Sequence, residues 1–201
     1  AGWFVRGEDA YTLEVDSTGA CQGHYAARLT RSAVLSADSF GVVTQHIKAD
    51  PWRGKWVRYR AWVRAAVHDS SSAHLLFRTM LPDSSVGIVE TMQDRPIRSN
   101  QWKSFEIKAL VEEDAEMIDL GFGLHGDGTI WVDSASLEVI PDSELPQPTQ
   151  RVLDFVEEVY GNMRSLSIRR DSVQWGRLHD RMLALARGAR TTADYYPSLH
   201  Q

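Results

Sequence analysis

At 201 residues, 43% of them hydrophobic and 24% charged, the chain is long and apolar enough to bury an ordinary core, which excludes a disordered or fibrous protein. Its 27 acidic residues outnumber 22 basic ones, and the formal charge of -5 with no long basic run argues against a nucleic-acid partner. Cys21 is the only cysteine and so has no internal disulfide partner, and no stretch approaches the roughly 18 apolar residues of a membrane span.

In chain order, short runs of alternating polarity recur between turn signals from residue 2 to residue 140. Strands are predicted at 3–6, 11–15, 24–30, 41–48, 55–67, 74–80, 102–110, 117–125 and 129–140, with turns at 17–19, 50–54, 69–72 and 126–128. Regularly spaced strands of this kind predict a mostly β protein, a jelly-roll β-sandwich over residues 1–140. Residues 81–101 show little periodicity beyond 86–89 and read as a long structured loop. Pro141, Pro146 and Pro148 mark 141–150 as a stiff, Pro-rich linker.

Residues 151–201 then change period and form a small α-helical segment. Val152, Phe155, Val156, Val159, Met163 and Leu166 give one amphipathic helix. A second carries Trp175, Leu178, Met182 and Leu185, with Ser172 as its cap and Gly188 as its stop. Thr191 with Asp194 three residues on predicts a capping box for a third. Their one-sided apolar faces call for a partner, either the β domain or a second copy in a homodimer. The chain starts on Ala1 and 3–6 already reads as strand, so we expect a segment upstream.

No constellation for catalysis is present: there is no G-x-S-x-G elbow, no H-E-x-x-H and no glycine-rich phosphate loop. The adjacent acids Glu112, Glu113 and Asp114 point apart and do not make a glycosidase pair. We therefore expect no enzyme. The clearest pattern is 55–67, where Val57, Tyr59, Ala61, Val63 and Ala65 form a core face and Trp56, Arg58, Arg60, Trp62 and Arg64 the other. Arg78, and Trp102, Ser104, Glu106 and Lys108 of the 102–110 run, are expected to join that cationic, aromatic ladder. Such a face suits sugar binding, with pyranose rings stacked on Trp and hydroxyls bonded by Arg. It equally suits a sheet covered by the 81–101 loop or by another domain.

Residues 162–197, NMRSLSIRRDSVQWGRLHDRMLALARGARTTADYYP, resemble the helical entry region of bacterial C-terminal processing (tail-specific) serine peptidases. The family's Ser and Lys dyad and its G-D-x-H-S motif have no counterpart before Gln201. The resemblance implies a non-catalytic N-terminal region that docks or orients substrate or partner domains, with the C-terminal peptidase domain as its missing partner. Residues 54–140, with GKWVRYRAWVR, MQDRPI, Trp102 and GDGTIWVDSASLEVI, look like a carbohydrate-binding-module-like jelly roll. That resemblance implies a polysaccharide or protein ligand, an extracytoplasmic setting, and a structural calcium held by Asp133 with Glu8 and Asp16.

Overall fold

The computed structural model describes residues 2–7, 10–32, 39–68 and 70–196. The chain divides into two compact units, Ala1–Val139 and Ile140–Gln201.

Ten strands build the first unit: β1 Trp3–Arg6, β2 Tyr11–Asp16, β3 Ala26–Arg31, β4 Phe40–Lys48, β5 Trp56–Val67, β6 Ser72–Met80, β7 Val86–Glu90, β8 Lys103–Leu110, β9 Met117–His125 and β10 Gly128–Val139. They form two five-stranded antiparallel sheets, in the orders β1-β4-β9-β6-β7 and β2-β3-β10-β5-β8. Period two decides what each sheet turns inward: Val57, Tyr59, Ala61, Val63 and Ala65 of β5 are all buried, and so are Ile118, Leu120, Phe122 and Leu124 of β9. The jelly-roll sandwich is the fold expected from the sequence.

Hydrogen bonds join the two layers of the sandwich at several points. The Tyr59 hydroxyl, fully buried, donates to the carbonyl of Gly121 on the opposite sheet at 3.1 Å. Residues 97–99 bond to both sheets: Ile97 exchanges backbone hydrogen bonds with Ala73 of β6, at 2.7 and 3.2 Å, and the Ser99 carbonyl accepts from Ala65 N of β5 at 2.8 Å. Most of the 81–101 stretch is thus no cover for the ladder. Its residues 86–90 are β7, the edge strand beyond β6 in the other sheet. The sequence hid this strand because Gly87 interrupts a run with only three apolar residues, Val86, Ile88 and Val89.

The second unit holds α1 Gln150–Leu166, α2 Trp175–Ala186 and α3 Thr192–Tyr195. The capping box at α3 is formed, with Thr191 and Asp194 each accepting from the other's backbone N–H. Ser172 does not cap α2. Its hydroxyl instead donates to Arg169 O within a turn, which leaves Gln174 as the flanking residue. Gly188, at φ +89, follows the end of α2 in the left-handed region, and its N–H donates to Pro146 O. Val152, Val156, Met182, Leu185 and Tyr195 are buried, and the Tyr195 hydroxyl donates to Met182 O. The helices therefore give one another part of the apolar cover the sequence said they needed. Leu166 and Ile168 stay outside it, 79% and 100% exposed. The proline-bearing stretch packs within this unit rather than standing free, with Leu145 buried and Asp142 paired to Arg187 at 3.1 Å.

Candidate functional site

The outward face of the β2-β3-β10-β5-β8 sheet carries most of the ladder. Arg58 lies between β8 and β10, where its guanidinium meets Glu106 at 3.2 Å and Glu138 at 2.9 Å, and its side chain is only 11% exposed. Arg60 shares both carboxylates, at 3.4 and 3.9 Å, and Lys108 adds a contact to Glu106 at 3.2 Å. Glu106 consequently titrates below the usual carboxylate range: burial opposes this, but Lys108, Arg58 and Arg60 outweigh it. Arg64 lies over the Trp131 ring at 4.0 Å and reaches Trp102 at 5.8 Å, a cation–π arrangement. Trp102 Nε1 donates to Gly19 O at 3.2 Å, and Trp131 Nε1 to Asp16 Oδ2 at 2.8 Å. Trp56 and Trp62 are half-buried. The ladder is thus largely paired within its own sheet, which is the behaviour of a sheet covering itself with stems and counter-charges.

Arg78 does not join it. Strands β5 and β6 are consecutive in the chain but lie in different sheets, and alternation reports the face of a strand, never the sheet it enters. As for the acids expected at a calcium, Glu8 lies outside the described residues. Asp133 Oδ2 accepts from the backbone N–H groups of Cys21 and Gln22 at 2.9 and 2.7 Å. Asp16 accepts from Thr18 N and Oγ1 and from Trp131, and these hydrogen bonds hold its carboxyl down at about 2. Among the described residues no group of three or more His, Cys, Asp or Glu side chains stands in metal-holding geometry.

The outward face of the other sheet holds a different constellation, which the sequence reading missed apart from Arg78. In register across three strands lie His46 of β4, Asp119 of β9 and Arg78 of β6. Asp119 is 2% exposed, yet it sits at an outward position of β9, between the inward Ile118 and Leu120. One of its oxygens bonds to His46 Nδ1 and the other accepts from Arg78 Nε at 2.9 Å and from Nη2. A buried carboxylate is costly unless its charge is met, and here two partly exposed donors meet it. Phe4 of β1 packs its ring on His46 at 4.9 Å and is itself 52% exposed. The result is an open aromatic ring beside an imidazole and a guanidinium whose directions are set from below. The available signal was a lone acid with two following glycines, Asp119, Gly121 and Gly123, in a strand that is apolar up to its last residue, His125.

Four residues along the same two strands His74 lies over Gly123, its Nε2 within 2.6 Å of where a Cβ there would stand. Burial first, and then His125, push His74 down to about 4 from 6.5. Because the folded value is the lower one, its neutral form adds stability that is fully present above about 6.5 and lost as pH falls toward about 4. Urea unfolding should therefore show a downward slope of stability across that window that His74→Gln flattens; identical slopes would mean His74 is freely hydrated.

No family model matches the chain. Over 148 residues it is 26% identical to an uncharacterized HTH-type transcriptional regulator, YbfP, of Bacillus subtilis, covering 71% of this chain and 49% of that protein. The chain spans about half the length of this curated relative. Among solved structures it is similar to the C-terminal family 22 carbohydrate-binding module of a Clostridium thermocellum xylanase, with a TM-score of 0.53, 13% identity and coverage of 68% of this chain and 85% of that one. It is also similar to the N-terminal module pair of the Clostridium thermocellum xylanase 10B, complexed with xylohexaose, with a TM-score of 0.55, 13% identity and coverage of 75% and 28%. At that identity the likeness establishes the fold alone, a jelly-roll β-sandwich. A peptidase parent finds no support in these relatives.

Proposed function

We propose that the β-sandwich is a non-catalytic carbohydrate-binding module whose site is the Phe4, His46, Asp119 and Arg78 cluster. The observation that carries this reading is the buried Asp119 carboxylate fixing two outward donors beside an exposed aromatic ring. Sugars are held by that combination: the ring takes the C–H face of a pyranose, and charge-assisted donors take its hydroxyls. Preset donors lose little side-chain freedom when the ligand arrives. The fold shared with sugar-binding modules supports the same reading, and the ladder on the opposite sheet fits less well because its charges already answer one another.

The test is Phe4→Ala, with binding to soluble polysaccharides followed by affinity electrophoresis and calorimetry. Loss of an exposed stacking ring should weaken binding about tenfold, on the scale of a stacking contact of roughly 1–1.5 kcal/mol. The melting temperature should stay within a degree or two because the ring is half in solvent. Unchanged affinity would remove Phe4 from the site.

The likeness to an HTH-type regulator supports a second reading of the same cluster, in which sugar binding is the input of a larger regulatory protein. The two readings differ in ligand length: an extracytoplasmic module favours the polymer, a regulator's sensor favours a short oligosaccharide.

A further inference from the structure

On the opposite sheet a cavity of about 340 Å³ opens on the outward face of β2, β3 and β10. Three threonines, Thr12, Thr30 and Thr129, stand in register across these strands at its base. Thr30 Oγ1 and Thr129 Oγ1 are 3.2 Å apart, so one hydroxyl donates to the other and leaves its neighbour's proton to point elsewhere. One wall is the Trp131 ring, held at its edge by Asp16 and backed by Arg64. Beside Trp131 in register stands Arg28, whose guanidinium is bonded to Glu14 and lies 3.9 Å from Asp16.

We propose that this cavity is a second sugar subsite, taking a single pyranose unit of a polysaccharide. The inference rests on the carbohydrate-binding reading above but uses none of its residues. An immobilised indole with a patch of hydroxyls beside it provides what a polyhydroxylated ring needs, and the site avoids an uncompensated charge because Glu14 and Asp16 face Arg28. The volume lies at the small end of ligand pockets, about 300–1,000 Å³, which suits one ring rather than a chain. Two sites on opposite sheets of one module would let a single domain hold two strands of a polymer, raising avidity without a tighter contact at either.

The experiment is amide and side-chain chemical-shift mapping of the whole chain titrated with xylo-, cello-, manno- and galactohexaose, in the wild type, in Phe4→Ala and in the double variant Thr30→Val/Thr129→Val. Valine keeps the branched shape that a strand favours while deleting both hydroxyls, so the sheet stays intact. At least one hexaose should shift Thr12, Thr30 and the Trp131 indole in the wild type and in Phe4→Ala. In the double variant the shifts at Thr12 and the Trp131 indole should vanish, with at least a tenfold loss of affinity, while shifts at Phe4 and His46 persist. Binding confined to Phe4, His46 and Arg78 overturns the second subsite alone, as do Trp131 shifts that survive in the double variant. Absence of any shift on either sheet with all four sugars overturns the carbohydrate-binding reading and this inference with it.

Discussion

Asp119→Ala abolishes measurable sugar binding in our expectation, a loss well beyond the tenfold assigned to Phe4. The carboxylate itself is almost out of reach of solvent, so it acts by orienting His46 and Arg78. Without it two cationic or neutral donors are left side by side with nothing to set their directions, and the array loses both geometry and charge balance. Stability should also fall, by about 1–3 kcal/mol for a charged hydrogen-bond partner left unmade, at the milder end because both donors can rehydrate. Asp119→Asn separates the two effects, since an amide fills the same space but offers one acceptor oxygen instead of two. It should hold most of the stability and lose most of the binding. If the alanine variant melts several degrees lower yet binds sugar as before, the cluster is a structural ion-pair network and the ligand sits elsewhere.

Gly121→Ala should be the most damaging single methyl in the sandwich. A Cβ at that position would lie 1.9 Å from the Val43 carbonyl oxygen and 3.0 Å from Thr44 Cα, both backbone atoms of the paired strand β4. No rotamer relieves such a contact, so β4 must part from β9, and the Tyr59 hydroxyl bond to Gly121 O is strained with it. A cost of about 3 kcal/mol is the upper end of ordinary overpacking, and at roughly 2–4 °C per kcal/mol for a chain of this size the sandwich should melt some ten degrees lower. Gly161→Ala in α1 is the matched control. Nothing lies within 4 Å of its added methyl, and alanine favours a helix interior by about 1 kcal/mol over glycine. Equal melting temperatures for Gly121→Ala and the wild type would mean that β4 and β9 are not so tightly apposed.

Much of the fold could be read before any coordinates. The β5 alternation was unmistakable because five small or apolar residues all had to face one core, and the capping box at Thr191 and Asp194 is local chemistry that needs no tertiary context. The candidate site was harder. His46, Arg78 and Asp119 are separated by up to 73 positions and meet only because β4, β9 and β6 are neighbours in one sheet, a fact of strand order that no periodicity encodes. Arg78 went to the wrong sheet for the same reason. The Trp and Arg ladder looked available because only strand order brings Glu138 of β10 against Arg58 from the side opposite Glu106, which the sequence already placed beside the ladder.

The crossing made by residues 97–99 has a mechanical consequence. Because Ile97 is bonded to β6 by two hydrogen bonds and Ser99 to β5 by one, the stretch fastens both layers near one end, and a load that slides one layer over the other passes through the pair and the single bond in series. The single bond from Ala65 N to Ser99 O is therefore the link that yields first. A domain whose proposed ligand is a long polymer, tugging on the outer face of one layer, would pass tension into the second layer through that one bond until it parts, and the apolar core between the layers carries the rest.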